Sequence, residues 1–304
     1  MVATILRQKL SETEPDAEFT FSLPIVTSSS GKRYYAKSGS SFEQEQYLGE
    51  AESLKHIGRA APGLAPNVVH SGVDEDTGQP YLISDYLDIR RHDSVSLNRL
   101  ATRLATELHT CKSEQGFGFN VPTFCGATKL QNGWYQTWEE CYDALIGGLQ
   151  RGLEERGGNQ LLCEKIRRVR KTVIPYLLRP LKVDPVLLHG DLWSGNTGVD
   201  VSSNEPVVYD PSSFYGHNET EHTFILLNSL AIARIFGGFT PAFFQKYHEL
   251  LPKSEPAEQY ELRVDLYELF HYLNHALMFG GGGYASSASQ KMDRLLKYCP
   301  KDAS

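Results

Sequence analysis

The chain has 304 residues, a net charge of −7, 40% hydrophobic residues and 22% charged residues. This length favours two domains or one two-lobed unit, and the composition is that of an ordinary protein with a packed core. The negative charge argues against a protein that binds the phosphate backbone of nucleic acids, because such proteins usually carry a basic surface.

The first residues do not have the pattern of a signal peptide, because Arg7 and Lys9 interrupt a short apolar run. No segment reaches the about 18 consecutive apolar residues of a membrane-spanning helix. The five cysteines form no CxxC pair, which favours reduced thiols. We therefore expect a cytoplasmic protein that binds neither membranes nor nucleic acids.

Short segments rich in β-branched and aromatic residues dominate the first part of the chain. One helix interrupts them within residues 42–58, where Tyr47, Ala51 and Leu54 follow the helical period and Gly58 is a suitable stop. Clusters of Ser, Gly and acidic residues separate the other segments. Strands are predicted within residues 19–26, 33–37, 67–70 and 80–87.

From about residue 92 the pattern is mainly helical, with short strands at 185–189 and 206–210. Helices are predicted within residues 96–109, 134–150, 163–178 and 260–277. We therefore expect an α+β, two-lobed architecture. Residues 1–87 would form a small lobe with an antiparallel sheet and one helix, and residues 88–304 a larger, mainly helical lobe.

Two charged residues of the small lobe lie next to apolar segments. Glu50 is one turn from Tyr47 and Leu54 on its helix, where a carboxylate is costly unless it is paired. Lys37 ends the strand that precedes this helix. Each residue alone could simply be solvated. Together they form a candidate Lys–Glu pair, which kinase-like enzymes use to hold the phosphates of ATP.

Residues 187–198, LLHGDLWSGNTG, place polar side chains directly after an apolar strand. Four residues separate Asp191 from Asn196, and His189 stands two positions before the aspartate. This is the spacing of the kinase catalytic loop H-R-D-x-x-x-x-N, in which Asp accepts the hydroxyl proton and Asn holds a metal ion. Asp210 ends the next predicted strand and could be a second magnesium ligand. A polar turn that caps a strand would explain the HGD sequence alone but not the whole ordered set.

These motifs resemble the fructosamine-3-kinase (ketosamine-3-kinase) family, which is related to the aminoglycoside and choline kinases. The resemblance extends from about residue 33 to residue 298. Its most specific parts are HGDLWSGN (189–196) and YDPSSFYGHNE (209–219). Supporting segments are GFGF (116–119), NGWYQTW (132–138), IFGGF (235–239), YHELLP (247–252) and YLNHALMFG (272–280).

The resemblance implies a protein-kinase-like fold and an ATP-dependent transfer to the 3-hydroxyl of a fructosyl or ribulosyl group on an amine. Glycated lysine on proteins is one such substrate, and the unstable 3-phosphate then leaves, so the reaction starts a deglycation repair. ATP and Mg²⁺ are the implied cofactors.

The family's functional residues carry over by position. Asp191 is the implied base, and Asn196 and Asp210 are the implied magnesium ligands. Trp193 and His275 are implied to line the sugar site. The implied nucleotide-binding residues are Lys37, its partner Glu50, and the hinge backbone of Ser84, Asp85, Tyr86 and Leu87.

Two segments depart from the family pattern. The hairpin before Lys37 contains Pro24 and has no glycine before Gly31, and a loop without glycine approaches phosphates less closely. Residues 222–229 form an apolar insertion of about two helical turns if helical. Two alternatives therefore stay open: a kinase of another small hydroxyl or amine compound, and a pseudokinase that only binds.

Overall fold

The computed structural model describes residues 2–157, 159–223, 239–280 and 283–299. These residues form two lobes of unequal size. The small lobe contains, in chain order, α1 (Val2–Thr13), β1 (Phe19–Ser22), β2 (Ile25–Ser28), β3 (Arg33–Ser38), α2 (Gln44–Ala60), β4 (Val68–Val73) and β5 (Pro80–Asp85).

The five strands form one antiparallel sheet in the order β1-β2-β3-β5-β4. Lys37 lies on the central strand β3, opposite Leu82 of β5. Because Ile25 pairs with Tyr35 in the antiparallel β2–β3 ladder, the turn at residues 23–24 lies beside the Lys37 end of β3. The turn at residues 29–32 lies at the opposite end of the same ladder.

Both faces of this sheet are covered, and β5 shows why. Tyr81 and Ile83 point to one face and Leu82 to the other, as the two-residue period of a strand requires. On the first face, α1 contributes Leu6 and Leu10 to a buried cluster. On the second face, α2 contributes Ala51, Leu54 and Ile57.

The larger lobe is mainly helical. Its strands are β6 (Ile89–Arg90), β7 (Phe124–Cys125), β8 (Thr128–Lys129), β9 (Val186–Leu188), β10 (Thr197–Asp200), β11 (Pro206–Val208) and β12 (Phe214–Gly216). Its helices are α3 (Ser94–Thr106), α4 (Trp138–Glu155), α5 (Gln160–Arg168), α6 (Ile174–Leu178), α7 (Pro241–Leu250), α8 (Tyr260–Phe279) and α9 (Tyr284–Tyr298).

Short antiparallel strands hold the polar loops of the larger lobe. β10 lies between β11 and β6, and β9 pairs with β12. Residues 189–196 therefore leave the end of β9 and return into β10, while residues 209–213 connect β11 to β12. Both loops are fixed by strands at each end, which brings the two predicted site segments together.

The structure confirms the predicted two-lobed α+β fold and adds details that the sequence pattern missed. Residues 19–26 form two strands and a turn rather than one strand. The small lobe has a second helix, α1. Residues 163–178 are interrupted by one wide π-type turn at Val169–Val173, which ends two residues before Pro175. Proline lacks an N–H group and crowds the carbonyl four residues earlier, which accounts for the widened turn.

Some predictions fall partly or wholly outside the described residues. Of the predicted insertion 222–229, only His222 and Thr223 are described, and they end the 3₁₀ segment Asn218–Thr223. Residues 224–229 lie outside the described residues. Gly280 ends α8 in the left-handed conformation. The division at residue 87 stays a prediction; the chain leaves the five-stranded sheet at Asp85 and enters the other lobe's sheet at Ile89. Among the described residues, no helix is long and apolar enough to cross a membrane.

The burial of α1 predicts that this helix is an integral part of the small lobe. Leu10 is fully buried in the cluster that α1 shares with the sheet. We expect Leu10→Ala to lower the free energy of unfolding by about 2–4 kcal/mol, because it removes buried methyl groups and leaves a cavity. Urea unfolding followed by circular dichroism measures this loss. The exposed Gln8→Ala on the same helix is the control, and equal stability of the two variants would contradict the assignment.

Candidate active site

Lys37 meets two carboxylates in the cleft between the lobes. Its Nζ lies 2.7 Å from Oε2 of Glu50 and 3.6 Å from Oδ1 of Asp210. The side chains of Lys37 and Glu50 are 24% and 16% exposed, whereas that of Asp210 is 60% exposed. The predicted Lys–Glu pair therefore forms, and it lies beside the aspartate of the other lobe.

The charges of this cluster do not balance. Burial raises the pKa of Glu50, the Lys37 ammonium opposes that rise, and the Asp210 carboxylate adds to it. Burial lowers the pKa of Lys37, but the attraction of Glu50 and Asp210 outweighs burial and the net pKa is raised. One ammonium thus faces two carboxylates, which leaves the cluster attractive to a further cation.

Asp191 and Asn196 lie in contact within the loop between β9 and β10. The Asn196 side-chain nitrogen donates to the backbone oxygen of Asp191 at 2.9 Å and to its Oδ2 at 3.1 Å. The Asn196 N–H donates to the carbonyl of Trp193 at 2.9 Å, which closes the loop into a compact turn. The spacing of four residues therefore serves to bring the amide and the carboxylate together.

The carboxyl group of Asp191 titrates near neutral pH. Burial raises the pKa of Asp191 to about 7; the hydrogen bond from Asn196 opposes the rise, and the carboxylates of Glu221 and Asp210 add to it. A carboxyl group with such a pKa can accept a proton and release it again at neutral pH, as general base catalysis requires.

His189 is fully buried beneath this loop and supports it as a neutral ring. Its Nε2 lies 3.0 Å from the carbonyl of Tyr209 and donates to it, while its Nδ1 accepts the Asp191 N–H at 3.3 Å. Burial lowers the pKa of His189, although Glu221 opposes that change. The histidine therefore links Asp191 to the strand that delivers Asp210.

Glu221 was not singled out by the sequence, yet it fixes the backbone of the candidate catalytic loop, residues 189–196. Its two carboxylate oxygens accept the backbone N–H groups of His189 and Gly190, both at 2.8 Å. Burial would raise the pKa of Glu221, but the nearby His109 ring, whose Nε2 lies 3.9 Å from Oε2, and the N–H of Gly190 lower it overall. Glu221 is therefore a buried anion that fixes the backbone next to Asp191. The acidic sequence around it gave no periodic signal, because it lies in a 3₁₀ segment.

The backbone at Asp210 and Gly190 is unusual. Asp210 has φ +53°, which is uncommon for a non-glycine residue and concentrates at functional sites. The carbonyl of His189 accepts the Ser212 N–H at 2.9 Å, so the two loops are bonded to each other. At Gly190 a Cβ atom would lie 2.1 Å from the Ser212 carbonyl oxygen, so this close approach requires glycine.

The two residues predicted to line the sugar site lie on different elements. The Trp193 ring folds over its own loop, where a Cβ atom on Gly195 would lie 2.1 Å from the ring. The His275 ring lies on α8, 4.9 Å from the Tyr284 ring and 5.7 Å from the Phe279 ring between centroids. Trp193 therefore lies beside Asp191 in the chain, whereas His275 belongs to an aromatic cluster at the end of α8.

The predicted hinge, residues Ser84 to Leu87, lies at the junction of the lobes. The N–H groups of Asp85 and Tyr86 donate to the carbonyls of Asn67 at 3.0 Å and Arg33 at 3.3 Å. The Arg33 guanidinium lies 4.3 Å from the centre of the Tyr86 ring. The backbone donors of Asp85 and Tyr86 thus already have partners in the protein.

The serine-rich turn does not reach the Lys37 end of the sheet. Ser28 and Ser30 donate their hydroxyl groups to the Glu14 carboxylate at 2.9 and 2.6 Å, which ties the β2–β3 turn to α1. The connection beside Lys37 is instead Leu23–Pro24, whose proline carbonyl accepts the Ala36 N–H at 2.8 Å.

The oxygen atoms at this site fit a divalent cation of the magnesium type. Magnesium takes carboxylate, carbonyl and phosphate oxygens. The side-chain nitrogen of Asn196 is committed to Asp191, so its amide oxygen is the atom left for a cation. Asp210 supplies an exposed carboxylate beside a cluster with excess negative charge.

Comparisons with known proteins agree on one family. Residues 18–298 match the fructosamine kinase family. A Mus musculus protein named ketosamine-3-kinase is 34% identical over 290 residues, which cover 87% of this chain and 88% of the relative. An Arabidopsis thaliana protein named chloroplastic protein-ribulosamine 3-kinase is 34% identical over 273 residues, which cover 87% of this chain and 76% of the relative.

Solved structures show the same fold. A Haemophilus somnus structure assigned as a fructosamine-3-kinase superimposes with a TM-score of 0.77 at 21% identity, covering 96% of both chains. Aminoglycoside phosphotransferase APH(4)-Ia superimposes with a TM-score of 0.59 at 16% identity, covering 97% of this chain and 98% of that chain. At these identities the likeness concerns the protein-kinase-like fold alone. The family match and the curated relatives together show that this chain belongs to the fructosamine kinase family and is an ATP-dependent phosphotransferase.

Proposed function

We propose that this protein transfers the γ-phosphoryl group of ATP to the 3-hydroxyl of a ketosamine, a fructosyl or ribulosyl group carried on an amine. The observation that carries the proposal is the meeting of Lys37, Glu50 and Asp210 beside the Asp191–Asn196 loop in one cleft. Family membership and relatives named ketosamine-3-kinase and protein-ribulosamine 3-kinase supply the substrate class.

In the proposed reaction, the 3-hydroxyl oxygen forms a bond to the γ-phosphorus while the bond from that phosphorus to the bridging oxygen breaks and ADP leaves. The hydroxyl proton goes to the Asp191 carboxylate. Transfer of this kind needs positioning and charge neutralisation more than covalent help from the protein. The close fixing of Asp191 by Asn196, His189 and Glu221 supplies the positioning.

Lys37 is proposed to contact the phosphates of ATP, with Glu50 holding its ammonium in place. Asn196 and Asp210 are proposed to hold magnesium, which supplies charge neutralisation at the phosphates when bound. The hinge Ser84–Leu87 is proposed to contact adenine through groups other than the Asp85 and Tyr86 N–H donors.

Trp193 is proposed to pack against the sugar, since it lies two residues from the base on the same loop. His275 is proposed to contribute to the same acceptor side from α8. Its neighbour Asn274 donates to the carbonyl of Cys125 at 3.1 Å, and the Asp191 carboxylate contributes to raising the pKa of the Cys125 thiol. These contacts support a position of this part of α8 near the catalytic loop.

A second candidate function is a binding protein that transfers no phosphate. The observation that favours it is the Leu23–Pro24 turn beside Lys37, because proline has no N–H group to offer to a phosphate. The retained set of Asp191, Asn196 and Asp210 argues against it, since binding alone does not need a base and two metal ligands.

The deciding experiment incubates the protein with ATP, Mg²⁺ and a fructosyl or ribulosyl amine. We expect ADP and the 3-phosphorylated product to appear in equal amounts. The matched controls are the free amine and a 3-deoxy sugar analogue, neither of which offers the reacting hydroxyl. Sugar binding without turnover would support the binding protein, and turnover only with other alcohols would support a kinase of a different small compound.

The proposed base predicts the behaviour of Asp191→Asn. We expect kcat to fall by a factor of about 100 or more, because general base catalysis contributes about 10²–10⁴ to the rate. The affinity for Mg²⁺·ATP should change little, since Asp191 is not proposed to contact the nucleotide. Steady-state kinetics and calorimetric titration measure both quantities. A variant that keeps near-normal kcat would show that Asp191 is not the base.

The raised pKa of Asp191 predicts a pH dependence of activity. The base acts when ionised, so a pKa of about 7 leaves it mostly protonated below neutral pH. We expect kcat/KM of the ketosamine to rise about tenfold per pH unit below pH 7 and to level off above it. Initial rates in constant-ionic-strength buffers measure this profile. A rate that is flat between about pH 5.5 and pH 7, or that falls as pH rises, would contradict the assignment.

The position of Glu221 predicts that its charge matters for turnover. In Glu221→Gln an amide NH₂ replaces one oxygen and faces the N–H group of either His189 or Gly190, which then has no acceptor. We expect kcat to fall by about tenfold or more, and the acidic limb of the pH profile to move to lower pH because Asp191 loses a negative neighbour.

Glu219→Gln is the matched control for this prediction. Glu219 is also a buried carboxylate of the same 3₁₀ segment, but it pairs with Arg263 at 2.7 Å rather than with the catalytic loop. We expect it to lower the melting temperature without moving the pH profile. Equal kinetic effects of the two variants would show that Glu221 acts only through stability.

A further inference from the structure

One face of α2 is attached to the larger lobe. Glu50, Ser53 and His56 recur at intervals of three residues and therefore lie along the same side of the helix. Glu50 pairs with Lys37, and His56 Nδ1 lies 3.2 Å from the hydroxyl of Tyr215. Ser53 lies between these two contacts and is fully buried.

The Ser53 hydroxyl joins α2 to the segment that follows Asp210. It donates to the Gly49 carbonyl at 2.7 Å and accepts the backbone N–H of Ser213 at 3.0 Å. Ser213 is itself fully buried, so water has no access to replace the hydroxyl. This hydrogen bond links residues 160 positions apart in the sequence and joins the two lobes one helical turn from Glu50.

The same segment is also bonded to the catalytic loop. Ser212 donates its N–H to the His189 carbonyl at 2.9 Å, and Ser213 donates the next N–H to Ser53. The N–H groups two and three residues after Asp210 are thus bonded to different lobes, the first to the larger lobe and the second to the small lobe. A shift of either support would move the Asp210 carboxylate relative to Lys37.

We propose that Ser53 is a positioning residue that sets the placement of the Lys37–Glu50 pair against Asp210. Glu50 is one turn before Ser53 on α2, so the hydroxyl bond to Ser213 fixes the register of that turn against the Asp210 loop. The proposal rests on the proposed phosphotransferase function. It differs from that function because it concerns how α2 is held rather than which groups meet the phosphates.

Other contacts between α2 and the larger lobe limit the expected effect of removing the Ser53 hydroxyl. A Cβ atom on Gly49 would lie 2.3 Å from the Pro122 carbonyl oxygen, so α2 also packs closely against the larger lobe at that point. The His56–Tyr215 contact adds a third attachment. Loss of the Ser53 hydroxyl therefore shifts α2 locally and does not release it.

The experiment uses Ser53→Ala in the full chain, with Mg²⁺·ATP as the ligand. We expect kcat/KM for Mg²⁺·ATP to fall about tenfold, corresponding to the loss of one buried hydrogen bond. KM for the ketosamine should stay within about twofold. Ser53→Cys keeps the size of the side chain but offers a weak acceptor, so an intermediate fall is expected there if the alanine variant does not fold.

Ser28→Ala is the matched control. Ser28 is also a buried serine of the small lobe whose hydroxyl accepts a backbone N–H, that of Ser30 at 3.2 Å, and donates to a neighbour. Its turn lies at the opposite end of the β2–β3 ladder from Lys37. We expect a lower melting temperature with kcat/KM for Mg²⁺·ATP unchanged. Equal kinetic losses in Ser28→Ala and Ser53→Ala would overturn the proposal.

A double-mutant cycle with Glu50→Gln separates positioning from stability. If Ser53 acts through the Lys37–Glu50 pair, Ser53→Ala should add less than about twofold to the kinetic loss of Glu50→Gln, while the melting temperatures fall additively. Additive kinetic losses would overturn the proposal.

Binding of Mg²⁺·ATP is measured in parallel by titration calorimetry. A wild-type protein that binds nucleotide but never phosphorylates a ketosamine would reject the proposed function while leaving the Ser53 effect on binding measurable.

Discussion

The gathering of four carboxylates around one cleft, with Asp191, Glu50 and Glu221 largely removed from water, is the constraint on which this site depends. Asp191 feels the charges of Glu221 and Asp210, while Glu50 feels that of Asp210. Lys37 offsets part of this repulsion by direct contact with Glu50 and Asp210. Burial is the main cause of the raised pKa values of Asp191 and Glu50, and the remaining negative charge adds to it. It also explains why the cleft favours a cation bound together with a phosphate-bearing nucleotide.

The fold offsets part of this repulsion with backbone N–H groups, which carry fixed partial positive charges. Glu221 accepts two of them from the catalytic loop, so its own charge is compensated without a mobile partner. The loop is in turn bonded to the Asp210 segment through the His189 carbonyl and the Ser212 N–H. Groups held in this way need no reorganisation when charge moves during phosphoryl transfer, which is the general basis of electrostatic catalysis.

The residues that could be predicted from sequence are those whose signal is local. Glu50 is visible as a charge on an apolar helix face, and Asp191 with Asn196 as a spacing within one loop. Glu221 and Ser53 gave no such signal, because their partners lie 31 and 160 positions away and become neighbours only through the tertiary fold. The helix α1 was not predicted for a related reason. Its apolar positions are few, and they indicate a buried helix face only once the sheet that they cover is known. Periodicity and loop spacing therefore predict the lobes and the proposed reacting groups, and tertiary structure is needed to find the residues that hold those groups in place.

The turn beside Lys37 shows how the two kinds of information combine. Sequence alone indicates a hairpin with no glycine before Gly31, and the structure shows that its Leu23–Pro24 turn lies at the Lys37 end of β3. Pro24 has no N–H group, and its carbonyl is bonded to Ala36 on β3. This turn is therefore poorly suited to cradle phosphates through its backbone. In the proposed reaction the phosphate charge would instead be met by Lys37 and by a cation at Asn196 and Asp210. That requirement makes the exact placement of Asp210 against Lys37, across the two lobes, more important in this chain than in a kinase whose glycine-rich loop shares the task.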